Sequence, residues 1–139
     1  MLLMRSYRST FLSRDMNQQI QVWTIQVAKW RLARDKDIFF LDITAKSGML
    51  AFAPRFADVM RYKRGELTEE EYTDIYRKKM AESRRLFPLR WQSLVKRPKI
   101  AFACYCRAGK FCHRHLFVEE VVNYFGPQGY DILLMGELE

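Results

Sequence analysis

Apolar and polar positions alternate along Ile20, Gln21, Val22, Trp23, Thr24 and Ile25, the period of two that a strand with one buried face requires. Three further segments read as strands. Residues 37–43 (DIFFLDI) are almost continuously apolar, as a strand covered on both faces is. Residues 99–106 (KIAFACYC) and 130–135 (YDILLM) complete the set.

Between the strands the period lengthens to that of a helix. Pro54 suits a first helical position, and Phe56, Val59 and Met60 then share one face until Gly65 closes the helix. Thr68-Glu69-Glu70-Glu71 spells a capping box, flanked by Leu67 and Tyr72 as a hydrophobic staple. The helix it opens runs through Tyr76 and Met80 to about Arg85 and stops before Pro88. Residues 89–95 form a short helix carrying Trp91. Residues 112–125 form the last one, drawing its buried face from Leu116, Val118, Val121, Val122 and Phe125, and Gly126-Pro127 ends it.

Strands separated by helices predict an α/β layer fold on a mainly parallel sheet of about four strands. Ligands of such sheets bind beyond the carboxyl ends of the strands. That rule selects the loops 26–29, 42–48 and 107–111 before any chemistry is considered.

Composition narrows the class. The chain has 139 residues, 49% of them apolar, which supports a packed core and reads as one α/β domain over residues 1–139. No apolar run approaches a membrane span. The opening Met1-Leu2-Leu3-Met4, followed by Arg5, is too short for a secretory core, so a cytoplasmic protein with no membrane partner is expected. The formal net charge of +8 favours phosphate-bearing partners: nucleic acid, nucleotides or an anionic surface.

All three cysteines and both histidines fall between Cys104 and His115. That clustering is unlike a secreted disulfide framework. After Cys106 the chain reads Arg107-Ala108-Gly109-Lys110-Phe111, and Cys112-His113-Arg114-His115 then opens a helix. A strand end, a basic glycine-containing loop and a helix N-terminus make an anion corner, to which Arg107, Lys110 and Arg114 add cations. The same surroundings lower a thiol's pKa, so Cys106 and Cys112 are candidate nucleophiles, with His113 or His115 as base. The competing reading makes Cys104 and Cys106 small core side chains. A metal is the other rival: Cys106, Cys112 and His115 offer an open three-ligand zinc site.

Asp42 ends a buried strand and is followed by Thr44, Lys46 and Ser47. A carboxylate there binds a ribose hydroxyl, holds a base or, more simply, caps its turn; Arg114 is a possible ion-pair partner. Lys29, Arg31 and Arg34 alternate with Trp30 and Leu32, a pattern for gripping a nucleic-acid backbone or for an amphipathic helix with Trp30 in the core. Arg77-Lys78-Lys79 and Arg84-Arg85 read as a solvated helix face, and Tyr62, Tyr72 and Tyr76 as packing aromatics.

The phrase Cys104-Tyr105-Cys106-Arg107-Ala108-Gly109-Lys110-Phe111-Cys112-His113-Arg114 resembles the signature of the domain-of-unknown-function 488 family, and looks closest to a short branch common in phage genomes. Trp23-Thr24-Ile25, Phe40-Leu41-Asp42-Ile43-Thr44, Lys46-Ser47-Gly48, Phe52-Ala53-Pro54 and Tyr62-Lys63-Arg64-Gly65 extend the likeness over about residues 20–125. The resemblance implies a small Rossmann-like three-layer domain and a role for Asp42, Cys112, His113 and Arg114. It implies no reaction. Gln26-Val27-Ala28 stands where the broader family often has a Gly-His-Ser turn, so no histidine role carries over to that loop.

The combined expectation is a crevice for a nucleotide-like, phosphate-bearing ligand. Thr44, Lys46 and Ser47 join Cys106, Arg107, Gly109, Lys110 and Arg114 in binding, while Asp42, Cys112 and His113 are the candidate catalytic groups. The outcome is hydrolysis or transfer, or sequestration of a host signalling nucleotide by a phage protein. A nucleic-acid-binding accessory protein and a zinc protein are the alternatives.

Overall fold

The computed structural model describes residues 19–107 and 109–139, and every structural statement below concerns those residues. Four strands, β1 (Gln19–Gln26), β2 (Phe39–Asp42), β3 (Lys99–Cys104) and β4 (Asp131–Glu137), pair all-parallel in the order β2-β3-β1-β4. Five helices accompany them: α1 (Trp30–Asp35), α2 (Phe56–Lys63), α3 (Glu69–Leu86), α4 (Pro88–Leu94) and α5 (His113–Phe125). The result is the α/β layer fold on a parallel sheet that the pattern predicts, in the Rossmann-like three-layer form that the family resemblance implies. None of these helices is long and apolar enough to cross a membrane.

The strand order explains the layers. The chain steps in one direction from β1 to β2 and in the other from β2 to β3 and on to β4. Right-handed crossovers in opposite directions place their helices on opposite faces of the sheet. Two apolar clusters follow. On one face Ile20, Val22, Leu41, Ile100 and Phe102 meet α3, α4 and α5. On the other, Ile25, Ala101 and Ala103 meet Ala33 of α1. The alternation along β1 divides between both clusters, so its two faces are both covered. β4 departs from regular pairing: its register with β1 shifts between Val22 and Trp23, and Gly136, at φ +90°, supplies the conformation that such a bulge requires.

Trp91, with no exposed surface, centres the larger cluster and packs against Phe52, Phe117 and Tyr124 at ring separations of 5.4, 5.4 and 5.7 Å. Its indole Nε1–H donates to Ser83 Oγ at 2.9 Å, and the Ser83 hydroxyl donates to the Ala51 carbonyl. Arg84 of α3 reaches Glu120 of α5 at 2.7 Å.

The elements match the predicted pattern with local corrections. α2 begins at Phe56 with Arg55 as its N-cap, so Pro54 precedes the helix; Phe56 faces outward, 48% exposed, because the buried face of α2 is turned past it. β3 ends at Cys104, two residues early, and β4 runs on to Glu137. Trp30 lies at the surface with the guanidinium groups of Arg31 and Arg34 4.6 and 5.1 Å from its ring, while Ala33 makes the core contact of α1. Lys79 is half-buried, donating to the carbonyls of Ala53 and Leu50, and is not part of a solvated face.

Candidate functional site

The loop after β2 is organised by Asp42. Its carboxylate accepts the Thr44 amide at 2.8 Å and the Ser47 hydroxyl at 2.6 Å. A carboxylate only accepts, so the Ser47 proton points at Asp42, and the Ser47 oxygen is left to accept from Thr44 Oγ1 at 2.9 Å and Tyr105 OH at 3.2 Å. Thr44 Oγ1 in turn accepts the Ser47 amide at 3.2 Å. Gly48 closes the turn where a Cβ would come within 2.6 Å of the Ile43 carbonyl carbon, so only glycine fits. The Tyr105 contact ties this loop to the one after β3, which is possible because β2 and β3 are sheet neighbours.

The β3 loop is held from beneath by Arg114 in the first turn of α5. Its side chain has no exposed surface. It donates to the carbonyls of Cys106 and Arg107 at 2.9 and 3.2 Å, to Cys104 Sγ at 2.9 Å, and to Glu137 of β4 at 3.2 Å. The anticipated free cation, or partner of Asp42, is therefore an internal strut paired with Glu137. The bulge in β4 is what brings that carboxylate to it.

His113 is also buried. Its Nε2 lies 2.6 Å from the Ile43 carbonyl, which can only accept, so the proton sits on Nε2; Nδ1 then turns its lone pair toward Cys112 Sγ, 3.8 Å away. Burial lowers the pKa of His113 to about 4 against the opposing pull of the Ile43 carbonyl, so the ring is neutral near pH 7. Burial also lowers the pKa of His115 and raises that of Tyr72.

A crevice of about 720 Å³, open mouth included, lies over these groups. Cys104 lines it from the end of β3, Cys106 from the loop that follows, and Cys112 and His113 from the N-cap and first residue of α5. Thr44 and Lys46 line it from the β2 loop, and Phe56, Tyr62, Lys63 and Tyr72 from α2 and α3. Phe111 packs between Tyr62 and Tyr72 at ring separations of 5.3 and 5.8 Å. The sulfur atoms of the three cysteines converge within 4.8 Å of one another. Cys104 and Cys112 are paired as a disulfide and Cys106 is free.

The structure thus brings together Thr44, Lys46, Cys106, Cys112 and His113 of the anticipated set. Arg107, Gly109 and Lys110 stand on an exposed turn, and neither they nor Ser47 and Asp42 are among the residues lining the crevice. The loop 26–29 does not line it either, since β1 lies beyond β3. His115 is absent from the sulfur cluster, and Cys104 takes its place. The aromatic wall of Phe56, Tyr62, Tyr72 and Phe111, with Lys63, was not assigned to a site from sequence. Its periodicity is that of ordinary helix packing, and no local signal distinguishes the two.

Fold and site together define a small Rossmann-like α/β domain with a cysteine- and histidine-floored crevice at the carboxyl edge of its sheet. The chain belongs to the DUF488 family: the family described as the active DUF488-N3 subclade (DUF488-N3a) matches residues 13–124. No curated protein and no solved structure matches it.

Proposed function

We propose that the crevice binds a small ligand with a flat aromatic ring and an anionic group, and that a nucleotide is its chemical class. The observation that carries this reading is that lysines and aromatic rings share one opening. Phe56 is exposed at the rim with Lys46 Nζ 5.7 Å from its ring, and Lys63 lines the same space as Tyr62. An aromatic ring stacks a base regardless of its identity, for about 1–3 kcal/mol. A lysine ammonium meets phosphate as a mobile point charge. The sheet edge is the usual ligand position in a parallel α/β fold. The free thiol of Cys106 and the His113 imidazole line the same crevice beside the Cys104–Cys112 pair, which is consistent with the family's description as active.

Isothermal titration of the purified protein against a panel of nucleotides tests the proposal. Phe56→Ala and Lys46→Ala are the informative variants, because both side chains are exposed and their loss leaves the core intact. Each is expected to weaken binding about tenfold, the effect of losing roughly 1.4 kcal/mol. Binding that survives both changes and falls steeply with salt overturns the reading. It favours instead a nucleic-acid backbone held by the Lys29–Arg34 surface, where Trp30 is exposed.

A further inference from the structure

We propose that in its reduced form the protein binds a zinc-class ion through the thiolates of Cys104, Cys106 and Cys112, with His113 Nδ1 as the fourth donor. The three sulfurs already lie within 4.8 Å of one another, a convergence from two elements, the end of β3 and the start of α5. Thiolate and imidazole donors suit zinc, four-coordinate with Zn–S about 2.3 Å and Zn–N about 2.0–2.1 Å.

Three independent features favour an ion over a simple thiol cluster. The Cα atoms of Cys104 and Cys112 are 7.8 Å apart. That is wider than the roughly 4.4–6.8 Å that a direct disulfide usually spans, and an ion between the sulfurs accommodates the difference. The buried Arg114 guanidinium donates to Cys104 Sγ at 2.9 Å. A charged donor aimed at sulfur favours the thiolate, and its charge offsets the excess that three thiolates leave around a divalent ion. Finally, His113 has the arrangement of a metal ligand: Nε2 donates to the Ile43 carbonyl, which fixes the tautomer and turns the Nδ1 lone pair toward Cys112 Sγ, 3.8 Å away. The ring stands just outside the three-sulfur group, and ion binding draws it in.

Binding releases the three thiol protons to solvent and changes no oxidation state. The disulfide between Cys104 and Cys112 is the two-electron oxidised alternative, in which two of the three thiolate donors are lost. The proposal shares a crevice with the nucleotide reading but does not rest on it, since the metal is measured with no nucleotide added.

The test is elemental analysis of the protein expressed with zinc and purified under mild reductant, alongside titration of the demetallated protein with cobalt(II). One zinc per chain is expected, with an intense thiolate-to-cobalt charge-transfer band. Cys106→Ser, at the half-buried position, is expected to weaken zinc affinity at least about tenfold, whereas Phe56→Ala retains the metal. A chain that takes up neither ion while all three thiols react with a thiol reagent overturns the proposal. So does a Cys104–Cys112 disulfide, seen as an intact mass lower by two hydrogens, that survives the reductant.

Discussion

Arg114 has no exposed surface and makes contacts that three separate segments depend on: the end of β3, the loop that follows it, and Glu137 of β4. Removing one partner from a buried charge pair costs about 3–5 kcal/mol, because the charge left behind is neither solvated nor matched. Arg114→Ala is therefore expected to lower unfolding free energy in urea by that amount. Lysine is expected to restore little of it, since one ammonium cannot reproduce donors directed at two carbonyls, a cysteine sulfur and a carboxylate. Asp42 and Arg114 show where residue-level reading stops. Both were legible as important, and the alternative that Asp42 caps its own turn was legible too. The partner of Arg114 was not, because Glu137 lies 23 residues away and reaches it only through the β4 bulge.

At the scale of elements, local signals are strongest where a helix start is written in a few residues. The Thr68 hydroxyl accepts the Glu71 amide at 3.0 Å, and the Glu71 carboxylate accepts the Thr68 amide at 2.8 Å, as the capping box requires. Leu67 and Tyr72 beside it are both buried, completing the staple. Thr68→Ala is expected to cost about 1 kcal/mol, measured by chemical denaturation, with the native circular dichroism retained. α1 shows the opposite case. Its alternation of basic and apolar residues fitted a core tryptophan, yet a helix this short buries one small residue, Ala33, and leaves Trp30 to stack with its own arginines.

For the whole molecule, one chain of buried hydrogen bonds links three segments of the helical layer. The Trp91 indole of α4 donates to Ser83 of α3, which donates to the Ala51 carbonyl in the segment between β2 and α2. All of these groups are buried. Ser83→Ala leaves a donor and an acceptor without partners inside the core, at a cost of about 1–3 kcal/mol, so a lower thermal midpoint is expected although only one oxygen is lost. The same layer forms the crevice. α2 and α3 reach the β2 and β3 loops because those strands are neighbours at one edge, while the β1 loop is displaced to the far side of β3.

What the sequence determined by itself was what short-range chemistry can write. The period-two and helical runs set the strands and helices, the Thr68 cap set a boundary, and the clustering of every cysteine and histidine marked the site. Tertiary structure decided which of those residues meet. Only the strand order β2-β3-β1-β4 places Thr44 and Lys46 across from Cys112 and His113, while Arg107 and Lys110 stand exposed outside the crevice. Only the converging ends of β3 and α5 bring Cys104 into the sulfur cluster in place of His115. The physical reason is common to both. Side-chain type and spacing fix what a segment can do alone, whereas a site assembled from β2, β3, α2, α3 and α5 depends on long-range packing that no single segment encodes.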